Sequence, residues 1–172
     1  MKITHVLRGS EWLPTFPLHV LIYEAFGWQQ PIWIHLSVLL NPSGKGKLSK
    51  RSAVDPKSDA KAVFVNDLRE MGYLPQAVIN WISLMGWSFD DHSEFFPMDD
   101  LIGKFSIEKL SPSPAAVNFS KLDHFNGLYI RSMSTDELAE QLLPFFALAE
   151  IDADLTEIKV LVPLIQERIR TL

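Results

Sequence analysis

The first forty residues have a strand–helix–strand pattern, and this order constrains the fold more than any other feature. Residues 3–7 form a short β-branched run typical of a buried strand, and residues 33–40 form a second apolar run of strand length. Between them, Pro17 is suited to a first helical position and Gly27 to a C-terminal stop. A βαβ unit of this kind needs further strands to be stable, and no clear partner strand follows. We therefore expect the edge of a larger doubly wound sheet.

A basic, glycine-containing stretch at residues 44–51 follows the second apolar run. Glycine allows positive φ and close approach of backbone to a ligand, while lysine and arginine bind phosphate oxygens. In a chain with net charge −5, such a cluster costs self-repulsion unless an anion neutralises it. The stretch is therefore either an anion-binding loop or a solvated basic loop.

Several motifs in this sequence resemble those of one enzyme family. Lys47, Leu48, Ser49, Lys50 and Arg51 resemble the Lys-Met-Ser-Lys-Ser signature of class I aminoacyl-tRNA synthetases. Residues 3–13 are similar to the Ile-Thr-His-Val-Ile-Arg-Gly-Glu-Glu-Trp-Leu segment of glutamyl-tRNA synthetases. Further collinear segments that resemble this family are residues 17–28, 72–77, 84–88, 121–122 and 126–131. The resemblance thus covers nearly the whole chain.

The resemblance implies an α+β chain that is mainly α. Residues 1–39 would be the C-terminal portion of a Rossmann-type catalytic domain. Residues 40–133 would be an α-helical stem-contact domain, which carries the Lys-Leu-Ser-Lys-Arg loop and touches the inner side of tRNA. Residues 134–172 would be the first helices of an α-helical anticodon-binding domain.

Two site residues lie at the ends of the predicted strands. Arg8 comes at the end of the first strand, where a parallel sheet presents ligand-binding groups, although Arg8 alone could be a surface cation. By resemblance, Arg8 matches the arginine that contacts a carboxylate of bound glutamate, a role suited to its fork of donors. Leu39 matches a position whose backbone contacts adenine. The resemblance thus implies substrate binding at Arg8 and ATP binding at Leu39.

The resemblance also assigns the basic loop to ATP. In amino-acid activation a carboxylate attacks the α-phosphate and pyrophosphate leaves, so cations stabilise the charge that develops on the phosphate oxygens. Lys50 matches the catalytic lysine of the motif, and Lys47 and Arg51 would assist it. Ser49 would hold the loop geometry, and Leu48 would belong to the same ATP-binding segment. Mg²⁺ would be bound through ATP. No Gly-x-x-x-x-Gly-Lys-Ser/Thr pattern occurs, so the loop is not a P-loop.

Residues 52–62 depart from the family pattern, because they form a longer connection and place Ser52 where the family has lysine. This insertion is either a neutral surface extension or a change in the contacts beside the loop. His5, His19 and His35 are spaced too widely to suggest a metal site, and we interpret them as structural polar residues.

The composition is that of an ordinary globular protein, with 47% hydrophobic and 22% charged residues and no cysteine. No apolar run reaches the roughly 20 residues that span a bilayer, and the N-terminus lacks the order of a signal peptide. We expect a cytoplasmic protein without a membrane partner.

From residue 62 onward, proline, glycine and capping residues predict helices. They cover residues 62–71, 75–85, 97–105, 120–130 and 137–149, with a last helix that starts at Asp154 and carries Arg168 and Arg170 at its C-terminal end. Lys104, Lys109 and Lys121 are candidate phosphate contacts.

One family signature is missing, because the five histidines cannot supply the His-x-Gly-His pattern of class I synthetases. We therefore expect a C-terminal portion of a glutamate–tRNA ligase that is inactive alone. Its partners would be tRNA(Glu), L-glutamate, ATP and an N-terminal half of the synthetase. The alternatives are a stand-alone tRNA-binding module and a split-enzyme subunit that retains the ATP loop.

Overall fold

Two parallel strands and one helix form the N-terminal unit of the computed structural model, which describes residues 2–49, 64–90 and 92–172. Strand β1 (His5–Gly9) pairs with β2 (Ile32–Leu36), and helix α1 (Phe16–Ala25) connects them after a 3-10 helix at Ser10–Thr15. Gly27 has φ 63° and ends α1, with the Trp28 N–H donating to the Tyr23 carbonyl at 2.9 Å. The predicted βαβ unit is present, and its first strand starts two residues later than predicted.

The prediction of one strand over residues 33–40 is wrong, because this run contains two strands. The chain leaves β2 after Leu36, and β3 (Leu39–Leu40) pairs in parallel with β4 (Ala115–Ala116) in a second small sheet. Strand β4 was not predictable as a partner, since two alanines are too short to show a strand pattern.

Helices make up most of the regular structure in the rest of the chain, so the protein is mixed α/β. Their bounds are α2 (Val65–Glu70), α3 (Pro75–Ser83), α4 (Met98–Lys104), α5 (Phe119–Ser132), α6 (Thr135–Leu148) and α7 (Leu155–Ile165). Pro75 lies in the first turn of α3, and Ser134 with Glu137, then Asp154 with Glu157, form the capping boxes of α6 and α7. These starts agree with the sequence patterns.

The predicted position of Arg168 and Arg170 at the C-terminal end of the last helix is wrong. Helix α7 ends at Ile165, and a turn follows in which Arg168 N–H donates to the Ile165 carbonyl at 2.8 Å. The tail then returns to α5, where the buried Asn126 amide donates to the Arg170 carbonyl at 2.6 Å. Tertiary hydrogen bonds therefore end the helix earlier than its sequence pattern suggested.

The hydrophobic core belongs to the helices. Among the described residues, the buried side chains of the hydrophobic core lie at Leu68 and beyond, and the main cluster joins α3, α5, α6 and α7. Leu39 and Leu48 pack against the edge of this cluster and so connect the basic loop to the helical core. The β1–α1–β2 unit instead leaves large apolar side chains exposed, among them Leu18, Leu21, Phe26 and Trp28. None of the described helices is both long and apolar enough to cross a membrane.

Candidate functional site

Arg8 lies in a cage of aromatic rings near the carboxyl end of β1. Its guanidinium carbon is 5.0 Å from the centroid of the Trp33 ring, 5.6 Å from that of Phe16 and 5.9 Å from that of Trp12. Cation–π attraction to three rings holds the guanidinium in place. Trp12, which is half exposed, covers one side of the cage.

The polar partner of Arg8 is His35. The parallel register places these two residues side by side, and Arg8 Nε donates to His35 Nε2 at 3.1 Å. His35 must therefore present its unprotonated ring nitrogen to Arg8, which leaves the proton on Nδ1. Arg8 Nη2 is buried and has no hydrogen-bond partner. The fork of Arg8 thus keeps an unused donor.

The basic loop folds as a tight antiparallel return. Leu48 N–H donates to the Leu39 carbonyl at 2.8 Å, and Leu40 forms an isolated antiparallel bridge with Lys47. Between them, Gly44 and Gly46 adopt φ values of 73° and 74°, which residues with a Cβ rarely take. The glycines are thus needed for the turn that brings Lys47 back beside β3.

Lys47 reaches from this loop to the segment that follows β1. Its Nζ lies 3.0 Å from Glu11 Oε1, and this hydrogen bond holds the pKa of Glu11 below its usual range. Glu11 also folds over Gly9, where an added Cβ would overlap the Glu11 carboxylate. Gly9 therefore leaves the space in which Glu11 meets Lys47.

The structure brings together three of the sequence-predicted site residues in the loop, and Glu11 links this loop to the chain segment that contains Arg8. Leu39 and Leu48 are hydrogen-bonded, Lys47 adjoins them, and Glu11 connects Lys47 to the short segment that begins at Arg8. Ser49 follows on the exposed side of the loop. Lys50 and Arg51, the predicted catalytic and assisting cations, lie outside the described residues.

Sequence reasoning missed Glu11 and the role of His35. The contact of His35 with Arg8 depends on the observed register, in which both residues occupy the fourth positions of their parallel strands. The predicted strand starts at residues 3 and 33 did not give this register. No local pattern indicated the ion pair of Glu11, because its partner lies 36 residues away. Within residues 2–49, 64–90 and 92–172, no group of three or more His, Asp or Glu side chains is placed to hold a metal ion.

Comparison with protein families gives a match over most of this chain. Residues 1–124 match the family described as "tRNA synthetases class I (E and Q), catalytic domain". The chain is 44% identical to the glutamate–tRNA ligase of Chloroflexus aurantiacus and 47% identical to that of Borreliella burgdorferi. Each alignment covers 100% of this chain and 34% of the relative.

Two solved structures of glutamate–tRNA ligases are also similar to this chain. The glutamate tRNA ligase of Elizabethkingia meningosepticum, solved in complex with its amino acid, superimposes with a TM-score of 0.82 at 37% identity, over 99% of this chain and 36% of that chain. The glutamate–tRNA synthetase of Elizabethkingia anophelis gives a TM-score of 0.84 at 37% identity, with the same coverage. The chain thus spans about a third of the length of these relatives. On the match over residues 1–124 and these similarities, the chain belongs to the family of class I tRNA synthetases for glutamate and glutamine.

Proposed function

We propose that the chain is a portion of a glutamate–tRNA ligase, which activates L-glutamate with ATP and transfers it to tRNA(Glu). The observation that carries the proposal is the unused donor of Arg8, held in its aromatic cage three residues before Glu11, whose carboxylate binds Lys47 of the basic loop. A carboxylate-binding fork and a phosphate-binding loop are the two parts that this reaction needs side by side.

Arg8 would bind the carboxylate of glutamate. A buried N–H without a partner costs about 1–3 kcal/mol, and a ligand carboxylate on Nη2 would recover this penalty. The rings of Phe16 and Trp33 and the acceptor on His35 fix the guanidinium before the ligand arrives, so little of its freedom is lost on binding.

The basic loop would bind ATP, with Mg²⁺ carried on the phosphates. The backbone of Leu39 would contact adenine, Lys47, Leu48, Ser49 and Arg51 would line the phosphates, and Lys50 would stabilise the charge that develops during adenylate formation. The return from Leu39 to Leu48 and the positive φ of Gly44 and Gly46 support a loop shaped by its backbone. When ATP binds, the Lys47 ammonium would leave the Glu11 carboxylate and bind a phosphate oxygen instead.

We assign residues 1–39 to the catalytic domain, residues 40–133 to the stem-contact domain and residues 134–172 to the anticodon-binding domain. The last two domains would contact tRNA. The remainder of the catalytic site would come from an N-terminal half of the synthetase, in agreement with the share of the relatives that this chain covers.

The test is ATP–pyrophosphate exchange that depends on glutamate. The isolated chain is expected to give no exchange, and addition of the N-terminal portion of a related glutamate–tRNA ligase is expected to restore it. Exchange by the isolated chain at the rate of a complete synthetase would contradict the need for a second half. No exchange from the mixture, although the two parts form a complex, would favour a tRNA-binding module instead.

A further inference from the structure

The imidazole of His35 lies on the same face of the β1–β2 sheet as Arg8. The two residues are partners in the parallel register, and side chains at paired positions of neighbouring strands point to one face. Trp33 shares this face, because it lies two residues before His35 on β2. All three residues are half-buried. The backbone therefore determines which ring stands beside the guanidinium.

Phe16 fixes the orientation of the His35 ring. The Phe16 ring lies edge-on to His35, with centroids 5.2 Å apart and an interplanar angle of 72°, and edge-on to Trp33, with centroids 5.4 Å apart. Such edge-to-face contacts are a preferred arrangement of aromatic rings. The imidazole thus packs against the first residue of α1 and meets Arg8 with its Nε2 atom.

His35 occupies one particular donor of Arg8. A guanidinium has a side edge, formed by Nε and Nη2, and an end edge, formed by Nη1 and Nη2, and either pair of donors matches the two oxygens of a carboxylate. Arg8 Nε donates to His35 Nε2 at 3.1 Å, whereas the buried Nη2 has no hydrogen-bond partner. The protein therefore fills half of the side edge. A ligand carboxylate can make a paired contact only at the end edge.

We propose that His35 is a positioning residue for glutamate recognition, which holds Arg8 Nε and directs the ligand carboxylate to the Nη1–Nη2 edge. The ligand rests on the proposed function, whereas the contact between His35 and Arg8 does not. His35 accepts this hydrogen bond only while Nε2 carries no proton, so the neutral Nδ1–H tautomer is the one that positions Arg8. Without this acceptor the guanidinium turns more freely, and ordering it on binding costs affinity.

Two amide substitutions separate the acceptor atom from the bulk of the ring. The amide of glutamine reaches about as far from the backbone as histidine Nε2, and the amide of asparagine only about as far as Nδ1. His35→Gln therefore keeps an acceptor for Arg8 Nε, whereas His35→Asn removes it with a side chain of the same chemistry. His5→Asn is the matched control, because His5 is an exposed histidine at the start of β1.

NMR of the isolated chain tests the contact itself. The nitrogen shifts of His35 should report a protonated Nδ1 and an unprotonated Nε2, and Arg8 Nε–H should exchange with solvent more slowly than Nε–H of the exposed Arg69. His35→Asn is expected to raise the exchange rate at Arg8 by about tenfold, and His35→Gln to restore most of the protection. Equal rates in the parent chain and in His35→Asn would overturn the proposal.

Glutamate-dependent ATP–pyrophosphate exchange tests the positioning role, in the chain assembled with the N-terminal portion of a related ligase. His35→Asn is expected to raise the KM for glutamate about tenfold, with little change in kcat or in the KM for ATP, and His35→Gln to recover most of the affinity. In an Arg8→Lys background, His35→Asn should raise the KM no further, because lysine has no guanidinium to position. An equal rise in both backgrounds would show that His35 only stabilises the fold, and would overturn the proposal.

Failure of the proposed function gives a different result. If the parent assembly shows no exchange, or if Arg8→Lys leaves the KM for glutamate unchanged, Arg8 does not bind glutamate, and the role of His35 in recognition is overturned with it. If Arg8→Lys raises this KM and His35→Asn has no more effect than His5→Asn, only the positioning role of His35 is overturned.

Discussion

Lys47 Nζ and Glu11 Oε1 lie 3.0 Å apart and join two sequence motifs that are 36 residues apart. Both side chains are about half exposed, at 57% and 49%, so the pair adds little to stability. Its consequence is geometric, because it holds the basic loop next to the segment that starts at Arg8.

The ion pair predicts a pH dependence of the loop. The folded-state pKa of Glu11 is lowered, so the pair is complete above the usual carboxyl range and is lost as the pH falls through the lowered pKa. In Lys47→Gln, the titration midpoint of the Glu11 carboxyl carbon in an NMR experiment should rise. Lys45→Gln, which removes a neighbouring charge without a bond to Glu11, should leave it unchanged. The same midpoint in Lys47→Gln and the parent chain would refute the pairing.

Arg8 is expected to control glutamate affinity. Arg8→Lys keeps the charge but loses the planar fork, so the KM for glutamate should rise by about tenfold or more in the assembled enzyme, with a smaller change in kcat. The measurement is glutamate-dependent ATP–pyrophosphate exchange. Arg69→Lys, at an exposed position of α2, serves as control. An equal rise in the KM for ATP would argue against a specific contact with glutamate.

Lys50 is expected to act on the transition state of adenylate formation. In the assembled enzyme, Lys50→Ala should lower kcat by about 10²-fold or more and change the KM for ATP less, since its charge acts mainly on developing phosphate charge. Arg51→Ala should have a milder effect, and Lys57→Ala almost none. An unchanged kcat in Lys50→Ala together with lost activity in Lys57→Ala would show that Lys50 is not the catalytic cation.

Asn126 is expected to be essential for the stability of the helical part. It accepts from Leu74 N–H at 2.8 Å and donates to the carbonyls of Gly72 and Arg170. Asn126→Ala leaves these buried groups unpaired and should cost about 3 kcal/mol in the free energy of unfolding, measured with urea. Asn66→Ala, exposed on α2, should change it by less than about 0.5 kcal/mol.

The β1–α1–β2 unit is expected to be the least protected part of the isolated chain. Helix α1 has no buried residue, and Leu18, Leu21 and Phe26 are each more than half exposed. Amide hydrogens of residues 5–36 should therefore exchange faster than those of α5, and the chain should bind a dye that detects apolar surface. Leu21→Gln should reduce dye binding without lowering the unfolding temperature. Equal protection of both regions would contradict this expectation.

Local chemistry made much of the secondary structure predictable. Pro75 starts α3, Gly27 ends α1, and the pair Ser134 and Glu137 starts α6, because each acts through hydrogen bonds or dihedral angles within one turn of the chain. The motif of residues 47–51 likewise needed no structure to indicate phosphate chemistry, since its charges are adjacent in sequence.

The tertiary structure decided the contacts between distant residues. Pairing of Leu39 with Ala115, the ion pair of Glu11 with Lys47, and the return of the tail to Asn126 each join segments with no matching local pattern. The partners in these contacts are the backbone groups and charges that packing of the folded chain brings close together. For this reason the sequence determined where most of the helices begin and indicated the chemistry of the loop, and only folding placed Glu11 beside the loop and returned the tail to Asn126.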